Sequence, residues 1–264
     1  MASPARHIMS GRGVGPPMWG RDVQAFVDTC EDDGSRIRRA SLSPDARSAI
    51  QDTLRAVFIY LSHALTDHPV SASDTARILN GEALAAHPAS IHQALRDHAE
   101  AYDLMWDRAT QTLTDADVCQ LHAVLMAHEA AHPGVYRGAP TQIPGSVHAP
   151  GLPADIRPRM STLVRRWNVL RTGYPVVVAA ARLHHEFLSV FPFADGNGRL
   201  ARLLTGQYLL RRGYPPALIL AEDTDRYGSA LDDARSQQEA PLIRILARGV
   251  HQAFQWGWCP YLPR

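Results

Sequence analysis

Apolar residues recur at three- and four-residue steps along most of the chain, and this spacing limits what it can fold into. Between positions 50 and 61 the apolar stripe consists of Ile50, Leu54, Val57, Phe58 and Leu61. Side chains at these steps share one face of an α-helix, which turns once in about 3.6 residues. No long segment alternates apolar and polar residues as a half-buried strand does. The sequence therefore predicts an all-α fold.

Helix-capping residues mark where several helices begin. Ser43 precedes Pro44, and this pair is typical of an N-cap followed by the first helical position. Thr114 is predicted to cap a helix that continues to Pro133 and Gly134. Two further helices are predicted from Ser71 to Asn80 and from Pro88 to Met105, and a weaker one over 22–42. The later helices are predicted at about 155–172, 175–189, 197–212, 226–235 and 241–255.

Turn residues dominate positions 138–153, where a short β-hairpin is predicted. They are Pro140, Pro144, Gly145, Pro150, Gly151 and Pro153. The total length of 264 residues suits one large domain with an extension. We expect a partly flexible N-terminal extension at 1–45, a helical domain at 46–258 and a C-terminal tail at 259–264.

The composition excludes several classes of function. All 27 basic residues are arginine, so the chain lacks the lysine of a P-loop, of a protein kinase and of Schiff-base chemistry. The net charge is only +1 and no basic block occurs, which argues against a nucleic-acid partner. The three cysteines lie far apart, and no apolar run reaches membrane-spanning length. We expect a cytoplasmic protein without a membrane partner, whose oligomeric state the sequence does not indicate.

The segment Phe191–Arg202 carries the strongest chemical signal. Gly196 and Gly198 punctuate a tight turn that leads into a helix, whose first N–H groups have no partner within the helix. Such a helix start favours an anion, and Arg199 and Arg202 lie on neighbouring positions of one face. Asp195 at the mouth is a natural ligand for Mg²⁺ bound to phosphates. The segment therefore predicts a site for a nucleotide or another anionic small molecule.

This segment resembles the signature of the Fic (filamentation induced by cAMP) family, His-Pro-Phe-x-Asp/Glu-Gly-Asn-Gly-Arg-x-x-Arg. The similarity extends to His184, Phe187 and Val190 before it, and to Gly134–Arg137, which resembles a Gly-x-Tyr/Phe-Arg element. Residues 143–150 resemble the family's flap, with Ile143, Gly145, Ser146 and His148 as its candidate site residues. Arg226, Tyr227 and Leu231 resemble the stretch that follows the core. The resemblance covers roughly residues 50–255.

The resemblance implies a Fic-type helical bundle with a β-hairpin flap over the active-site loop. It also implies transfer of AMP from ATP to a protein hydroxyl, with Mg²⁺ as cofactor and ATP as co-substrate. Gly196, Asn197 and Gly198 would then cradle the phosphates, which Arg199 and Arg202 neutralise. Asp195 would hold the metal, and Asn197 counts among the catalytic positions.

Phe191 departs from the family signature at the catalytic base. Its side chain has no lone pair and cannot accept the proton that the family's histidine removes from the attacking hydroxyl. Three interpretations remain open. The chain is a transferase of AMP or another phosphate-containing group without its usual base, a nucleotide-binding pseudoenzyme, or an enzyme repurposed for a small phosphorylated or carboxylated metabolite.

Other residues are candidates for a base or a regulator. His184 and His185 lie about two helical turns before the loop, roughly 10 Å away, which is too far for direct replacement of the base. His148 on the flap is the better candidate. In some family members a glutamate in the pattern Ser/Thr-x-x-x-Glu-Gly/Asn pairs with the second arginine of the signature. Glu82 lies near the stretch that comes closest, but the pattern is not matched there.

A second motif, His128-Glu129-Ala130-Ala131-His132, competes with this interpretation. On a helix its two histidines would share one face and could bind Zn²⁺, with Glu129 as general base. However, Pro133 follows directly, and no third ligand appears at a zinc-protease spacing. The motif is more typical of a polar helix face.

Overall fold

The computed structural model describes residues 19–40, 42–66, 70–143, 145–146, 148–169 and 173–262. Within these ranges the fold is all-α, as the apolar spacing predicts. The helices are α1 (Arg21–Arg39), α2 (Pro44–His63), α3 (Ala72–Leu79), α4 (Ala89–Asp107), α5 (Asp115–Leu125), α6 (Pro153–Trp167), α7 (Val176–Val190), α8 (Asn197–Leu210), α9 (Thr224–Arg235) and α10 (Ala240–Ala253). Short turns of 3₁₀- and π-helix precede α9 and follow α10.

Helices α7 and α8 form the centre of the domain. Almost every residue of α8 from Asn197 to Leu209 is buried, and α7 packs along it. A helix that is buried on all sides has no polar face for solvent, so its polar residues must find partners inside the protein. Because the loop before α8 leads straight into this core, its backbone is held from several sides.

Helix α1 belongs to the same hydrophobic core as the later helices. It packs against α10, and Val23, Val27 and Cys30 are buried there. The described part of the predicted N-terminal extension at 1–45 thus contributes to the main core, whereas residues 1–18 lie outside the described ranges. A smaller apolar cluster joins α2, α3 and α4 around Ile59 and Leu95.

The N-caps predicted at Ser43 and Thr114 are confirmed, and Ser71 caps α3 in the same way. The hydroxyl groups of Ser43 and Ser71 accept hydrogen bonds from the backbone N–H groups of Ala46 and Asp74. Thr114 forms a capping box with Asp117, in which each side chain binds the other residue's backbone N–H. Such caps satisfy N–H groups that the first helical turn leaves without partners.

The predicted end of α5 is wrong. The helix stops at Leu125, and residues 126–129 form turns instead of continuing to Pro133. The ring of His122 accepts a hydrogen bond from the Gly134 N–H at 2.8 Å, which folds the chain back against α5. Tertiary contacts therefore end the helix about two turns before the proline does.

The predicted β-hairpin is not found among the described residues of the flap. Residues 138–143, 145–146 and 148–151 form turns, bends and irregular backbone without a strand, while Pro144 and Val147 lie outside the described ranges. Pro140 and Pro150 have no N–H group for a strand ladder. The flap is held by a turn, in which Ser146 N–H donates to the Ile143 carbonyl oxygen at 3.1 Å. No helix in the described ranges is long and apolar enough to span a membrane.

Candidate active site

The loop between α7 and α8 has an unusual backbone at both ends. Phe191 follows α7 in the left-handed region, with φ 49° and ψ 62°. This conformation is rare for a bulky residue, so the surroundings must hold it. Gly196 also has a positive φ, 73°, and a Cβ atom there would lie 2.6 Å from the sulfur of Met126. Glycine is therefore required at 196 by both its backbone and its neighbour.

Asn197 fixes the loop from inside. Its side-chain oxygen accepts a hydrogen bond from the Phe193 N–H at 3.0 Å, and its amide donates to the Phe193 carbonyl oxygen at 2.9 Å. The residue is 1% exposed. Asn197, predicted to contact phosphates, thus uses its side chain to hold the loop in shape, which leaves its backbone N–H at the start of α8 for a ligand.

His122 on α5 supports the loop from below. Its Nδ1 accepts from Gly134, so Nε2 carries the proton and donates to the Asp195 carbonyl oxygen at 3.1 Å. The ring stacks on Phe193 with a centroid distance of 3.7 Å. Burial lowers the pKa of His122 to about 4, so this neutral tautomer persists at neutral pH. Sequence reasoning missed His122, which carries no motif signal of its own.

Arg137 ties the loop to the flap. Its guanidinium donates to the carbonyl oxygens of Phe191 (2.8 Å), Ala139 (2.9 Å) and Gly151 (2.6 Å). Its backbone N–H donates to the carbonyl oxygen of Pro192 at 2.9 Å. Burial lowers the pKa of Arg137, but the group stays charged because its ordinary pKa is above 12. The Gly-x-Tyr-Arg element thus acts as a structural clamp on the loop.

A cavity of about 770 Å³ opens above the start of α8, and it is called the central cavity below. Its floor comprises 195–199 and Arg202, and Phe191 lines its wall. The flap contributes Ile143, Gly145 and Ser146, and α9 lies opposite. The structure thus brings together most of the predicted site residues. His148, the predicted alternative base, is not among the residues that line the cavity.

Arg202 is a buried cation without a carboxylate partner among the described residues. Its Nε donates to the hydroxyl of Ser62 at 2.7 Å, and Nη2 donates to the Ser62 carbonyl oxygen at 2.9 Å. The residue is 6% exposed and lines the central cavity. Burial lowers the pKa of Arg202, an indication of how poorly its charge is solvated.

A buried chain of hydrogen bonds lies behind Arg202. Tyr227 donates its hydroxyl proton to Nε2 of His184 at 2.6 Å, and Nδ1–H of His184 donates to Thr205 Oγ1 at 2.9 Å. Thr205 in turn donates to the Ala201 carbonyl oxygen, which assigns these roles. Burial lowers the pKa of His184 to about 3. His184 therefore has a structural role, in agreement with its distance from the loop.

The other two arginines of the central cavity have carboxylate partners. Arg199 binds Glu129 through two hydrogen bonds of 2.6 Å and 3.1 Å. Arg235 on α9 binds Asp232, which also accepts a hydrogen bond from the flap hydroxyl of Ser146 at 2.6 Å. The described flap is thus attached to α9 over the cavity.

The competing His-Glu-x-x-His motif does not form a zinc site in the described residues. Because α5 ends at Leu125, His128 and His132 are not on one helical face. His128 instead binds the buried Asp97 at 2.9 Å, and Glu129 binds Arg199. No group of three metal-ligating side chains occurs within the ranges that the structure describes.

Glu82 does not reach the arginines of the loop. It pairs with Arg77 at 2.8 Å, at the exposed end of α3. The residue that binds Arg202 is Ser62, which sequence reasoning missed. If the inhibitory pattern is counted from Ser62, its glutamate position is occupied by Thr66.

Asp195 is suited to hold a metal ion that arrives with phosphates. It is exposed at the cavity mouth, and one carboxylate oxygen accepts the Gly196 N–H at 2.6 Å. Its second oxygen remains for a ligand. Mg²⁺ typically takes one or two protein carboxylates and completes its shell with water and phosphate oxygens. The donor set fits a magnesium ion of this kind.

Comparison with known proteins agrees with this geometry. Residues 112–209 match the family model described as the Fic/DOC family. This region contains the Gly-x-Tyr-Arg clamp, the loop and most of α8. This match assigns residues 112–209 to the Fic/DOC family model, in agreement with the site and the fold.

Similar proteins support the same assignment. A protein adenylyltransferase Fic of Nematostella vectensis is 34% identical over 145 residues, which cover 53% of this chain and 33% of the relative. One from Aedes aegypti is 26% identical and covers 81% of this chain and 46% of the relative. The chain thus spans a third to a half of the length of these relatives.

Solved structures agree on the fold. A Fic domain-containing signaling protein from Bacteroides thetaiotaomicron superimposes with a TM-score of 0.75 at 21% identity. The match covers 89% of this chain and 95% of that one. At this identity the similarity establishes the helical architecture.

Proposed function

We propose that the central cavity binds ATP as its magnesium complex and transfers AMP, or another phosphate-containing group, to a hydroxyl. The observation that carries the proposal is Arg202, a buried cation without a carboxylate partner among the described residues, facing the cavity beside the start of α8. An uncompensated buried charge is costly. A bound anion would supply the missing counter-charge.

The start of α8 provides further contacts for an anion. No side chain caps this helix, so the N–H groups of its first turn are available. The positive end of the helix dipole acts at the same place. A Cβ atom at Gly198 would come within 3.4 Å of the Arg202 guanidinium, so the backbone and the cation lie side by side. Together they suit a chain of phosphates better than a single neutral ligand.

The size of the cavity and the relatives favour a nucleotide. A volume of about 770 Å³ lies within the range of cofactor pockets. The similar proteins are named protein adenylyltransferases, which supports ATP as the donor. In the reaction the acceptor oxygen would bond to the α-phosphorus as pyrophosphate leaves. Bound magnesium, held by Asp195, would neutralise charge on the phosphate oxygens.

Phe191 lines the cavity where the family signature has its histidine base. The acceptor proton must therefore pass to water or to a phosphate oxygen of the substrate. Loss of a general base lowers rates by about 10²–10⁴-fold, while phosphoryl transfer depends mainly on positioning and charge stabilisation. We expect slow transfer. The same phenylalanine favours a second candidate function, nucleotide binding without transfer.

The test begins with calorimetric titration of Mg-ATP. Arg202→Gln removes the charge but keeps hydrogen-bonding atoms, and Arg165→Gln on the exposed face of α6 is the matched control. We expect binding that Arg202→Gln weakens at least tenfold and that Arg165→Gln leaves unchanged. If Mg-ATP does not bind to the folded wild-type protein, the proposal is wrong.

A second experiment distinguishes the two candidate functions. AMP transfer is followed by mass spectrometry in the wild type and in Phe191→His, with the protein itself and lysate proteins as acceptors. Slow transfer by the wild type, increased by Phe191→His, would support the transferase. Binding without transfer in both proteins would support the nucleotide-binding pseudoenzyme.

A further inference from the structure

Glu129 forms an ion pair with Arg199, which lies in the first turn of α8. Its two carboxylate oxygens accept hydrogen bonds from Nη1 and Nη2 of Arg199 at 2.6 Å and 3.1 Å. The second of these nitrogens also lies 3.1 Å from the sulfur of Met126. The Arg199 side chain is 8% exposed, so it has little room for another partner. Both arms of its guanidinium are therefore already engaged by the protein.

The turn that carries Glu129 is anchored on both sides. The backbone N–H of His128 and its ring Nδ1 bind the buried carboxylate of Asp97, at 3.2 Å and 2.9 Å. The N–H of Glu129 itself donates to the Met126 carbonyl oxygen at 3.2 Å. These contacts hold the carboxylate against the central cavity, which Glu129 lines. The position of Glu129 is thus set by its neighbours as well as by Arg199.

Among the described residues, two of the three arginines around the central cavity are paired with carboxylates, and the third is not. Its described lining contains the cations Arg199, Arg202 and Arg235 and the carboxylates Glu129, Asp195 and Asp232. Arg199 and Arg235 have ion-pair partners, whereas Arg202 contacts Ser62. A single phosphate can therefore be neutralised at Arg202 without disturbing any ion pair. A longer phosphate chain needs more positive charge than this state offers.

We propose that Glu129 is a specificity-determining residue that limits how many phosphates the cavity accepts. This inference rests on the proposed phosphate site. A polyphosphate that reaches both arginines must displace Glu129 from Arg199, whereas a monophosphate bound at Arg202 leaves the pair intact. The Glu129 side chain is 30% exposed, so it can turn towards solvent when it is displaced. A phosphate can then replace both carboxylate hydrogen bonds, because arginine binds the two groups in the same forked geometry.

The test compares polyphosphates with a monophosphate. Wild type, Glu129→Gln and Glu239→Gln are titrated with Mg-ATP, magnesium pyrophosphate and AMP. Glu239→Gln is the matched control, because Glu239 forms a similar two-pronged ion pair with Arg182 outside the cavity. We expect Glu129→Gln to bind Mg-ATP and pyrophosphate about tenfold more tightly, equivalent to about 1.4 kcal/mol. Its affinity for AMP should change less than about threefold, and Glu239→Gln should match the wild type.

The outcomes separate this inference from the proposed function. If the wild type binds Mg-ATP and Glu129→Gln binds neither polyphosphate more tightly, Glu129 only positions Arg199 and the inference is wrong, while the proposed function stands. An equal increase in the affinity of Glu129→Gln for AMP would also overturn the inference, because it would show that removing a negative charge favours any anion regardless of its number of phosphates. If neither Mg-ATP nor AMP binds, the proposed function is wrong, and pyrophosphate binding by the wild type and Glu129→Gln then tests the role of Glu129 alone, because pyrophosphate contains no nucleoside. Glu129→Ala repeats the comparison if the glutamine variant is poorly folded.

Discussion

The Arg137 guanidinium donates a hydrogen bond from Nε to the carbonyl oxygen of Phe191 at 2.8 Å, so Arg137 fixes the backbone at the position where the family signature has its histidine. Phe191 ends α7 in a left-handed conformation, in which its carbonyl cannot continue the helix. Arg137 satisfies this carbonyl and holds Ala139 and Gly151 at the same time. The shape of the active-site loop and the position of the flap therefore depend on one buried side chain.

Replacement of Arg137 with alanine should destabilise the protein strongly. It would leave several buried carbonyl oxygens without their charged donor, at a cost of about 3 kcal/mol in the free energy of unfolding. Urea denaturation followed by circular dichroism measures this change. Arg165→Ala is the control, since the exposed Arg165 side chain donates its described hydrogen bonds to Ser161 and Thr162 of its own helix. Equal stability of the two variants would show that the clamp does not hold the loop.

Alanine should have opposite effects at two glycines of the central cavity. At Gly196 the positive φ and the contact with Met126 oppose a Cβ atom, so Gly196→Ala should lose about 1–2 kcal/mol of stability. At Gly228, inside α9, a Cβ atom would meet no other atom within 4 Å, and Gly228→Ala should gain about 0.5–1 kcal/mol. Thermal unfolding of both variants tests the pair, and a stable Gly196→Ala would contradict the strained turn.

The sequence predicted those features that arise from contacts between residues close together in the chain. The caps at Ser43 and Thr114 are where the sequence places them, because a capping side chain binds N–H groups only two or three residues away. The glycine turn before α8 is also local, since Gly196 alone supplies the positive φ. The family signature also marked residues that the structure brings together around the central cavity, although its histidine is replaced by Phe191.

Contacts between distant segments escaped prediction. Glu129 was considered as part of a zinc motif on a helix, but the helix ends early because His122 and Asp97 capture the following turn. Ser62 meets Arg202 across 140 positions of sequence, and no pattern in either segment predicts the pairing. The flap was predicted as a hairpin from its turn residues, which give its bends but do not provide the N–H groups of a ladder.

Two fully buried histidines should respond oppositely to leucine. His98 is 0% exposed and neither of its ring nitrogens has a hydrogen-bond partner among the described residues, whereas both nitrogens of the equally buried His184 are hydrogen-bonded. An unsatisfied buried polar group costs about 1–3 kcal/mol, so His98→Leu should raise the free energy of unfolding by about 1–2 kcal/mol at pH 7. His184→Leu should lower the free energy of unfolding by about 2 kcal/mol or more, because it removes the buried hydrogen-bond partner of the Tyr227 hydroxyl and of Thr205 Oγ1. Urea denaturation of both variants decides, and a loss of stability in His98→Leu would mean that its ring has a polar partner.

The buried histidines also make stability depend on pH. Burial lowers the pKa of His63 and His184 to about 3 and that of His122 to about 4, and it lowers the pKa of His98 as well. In the unfolded chain each binds a proton near pH 6.5. Below this pH the unfolded state gains protons that the folded state does not bind, so stability falls as pH decreases.

At pH 5 we expect each of these histidines to cost about 2 kcal/mol relative to pH 8. The free energy of unfolding, measured by urea denaturation at pH 8, 6.5 and 5, should therefore fall by about 0.4 kcal/mol per histidine between pH 8 and 6.5 and by about 1.6 kcal/mol per histidine between pH 6.5 and 5. In His98→Leu the loss of stability between pH 8 and pH 5 should be smaller by the contribution of one histidine, about 2 kcal/mol, since leucine does not titrate. A flat profile from pH 8 to pH 5, or an unchanged slope in His98→Leu, would show that the rings are protonated inside the fold. Anion binding at Arg202 should reduce the fall, because a phosphate beside His63 would offset the arginine charges that oppose its protonation.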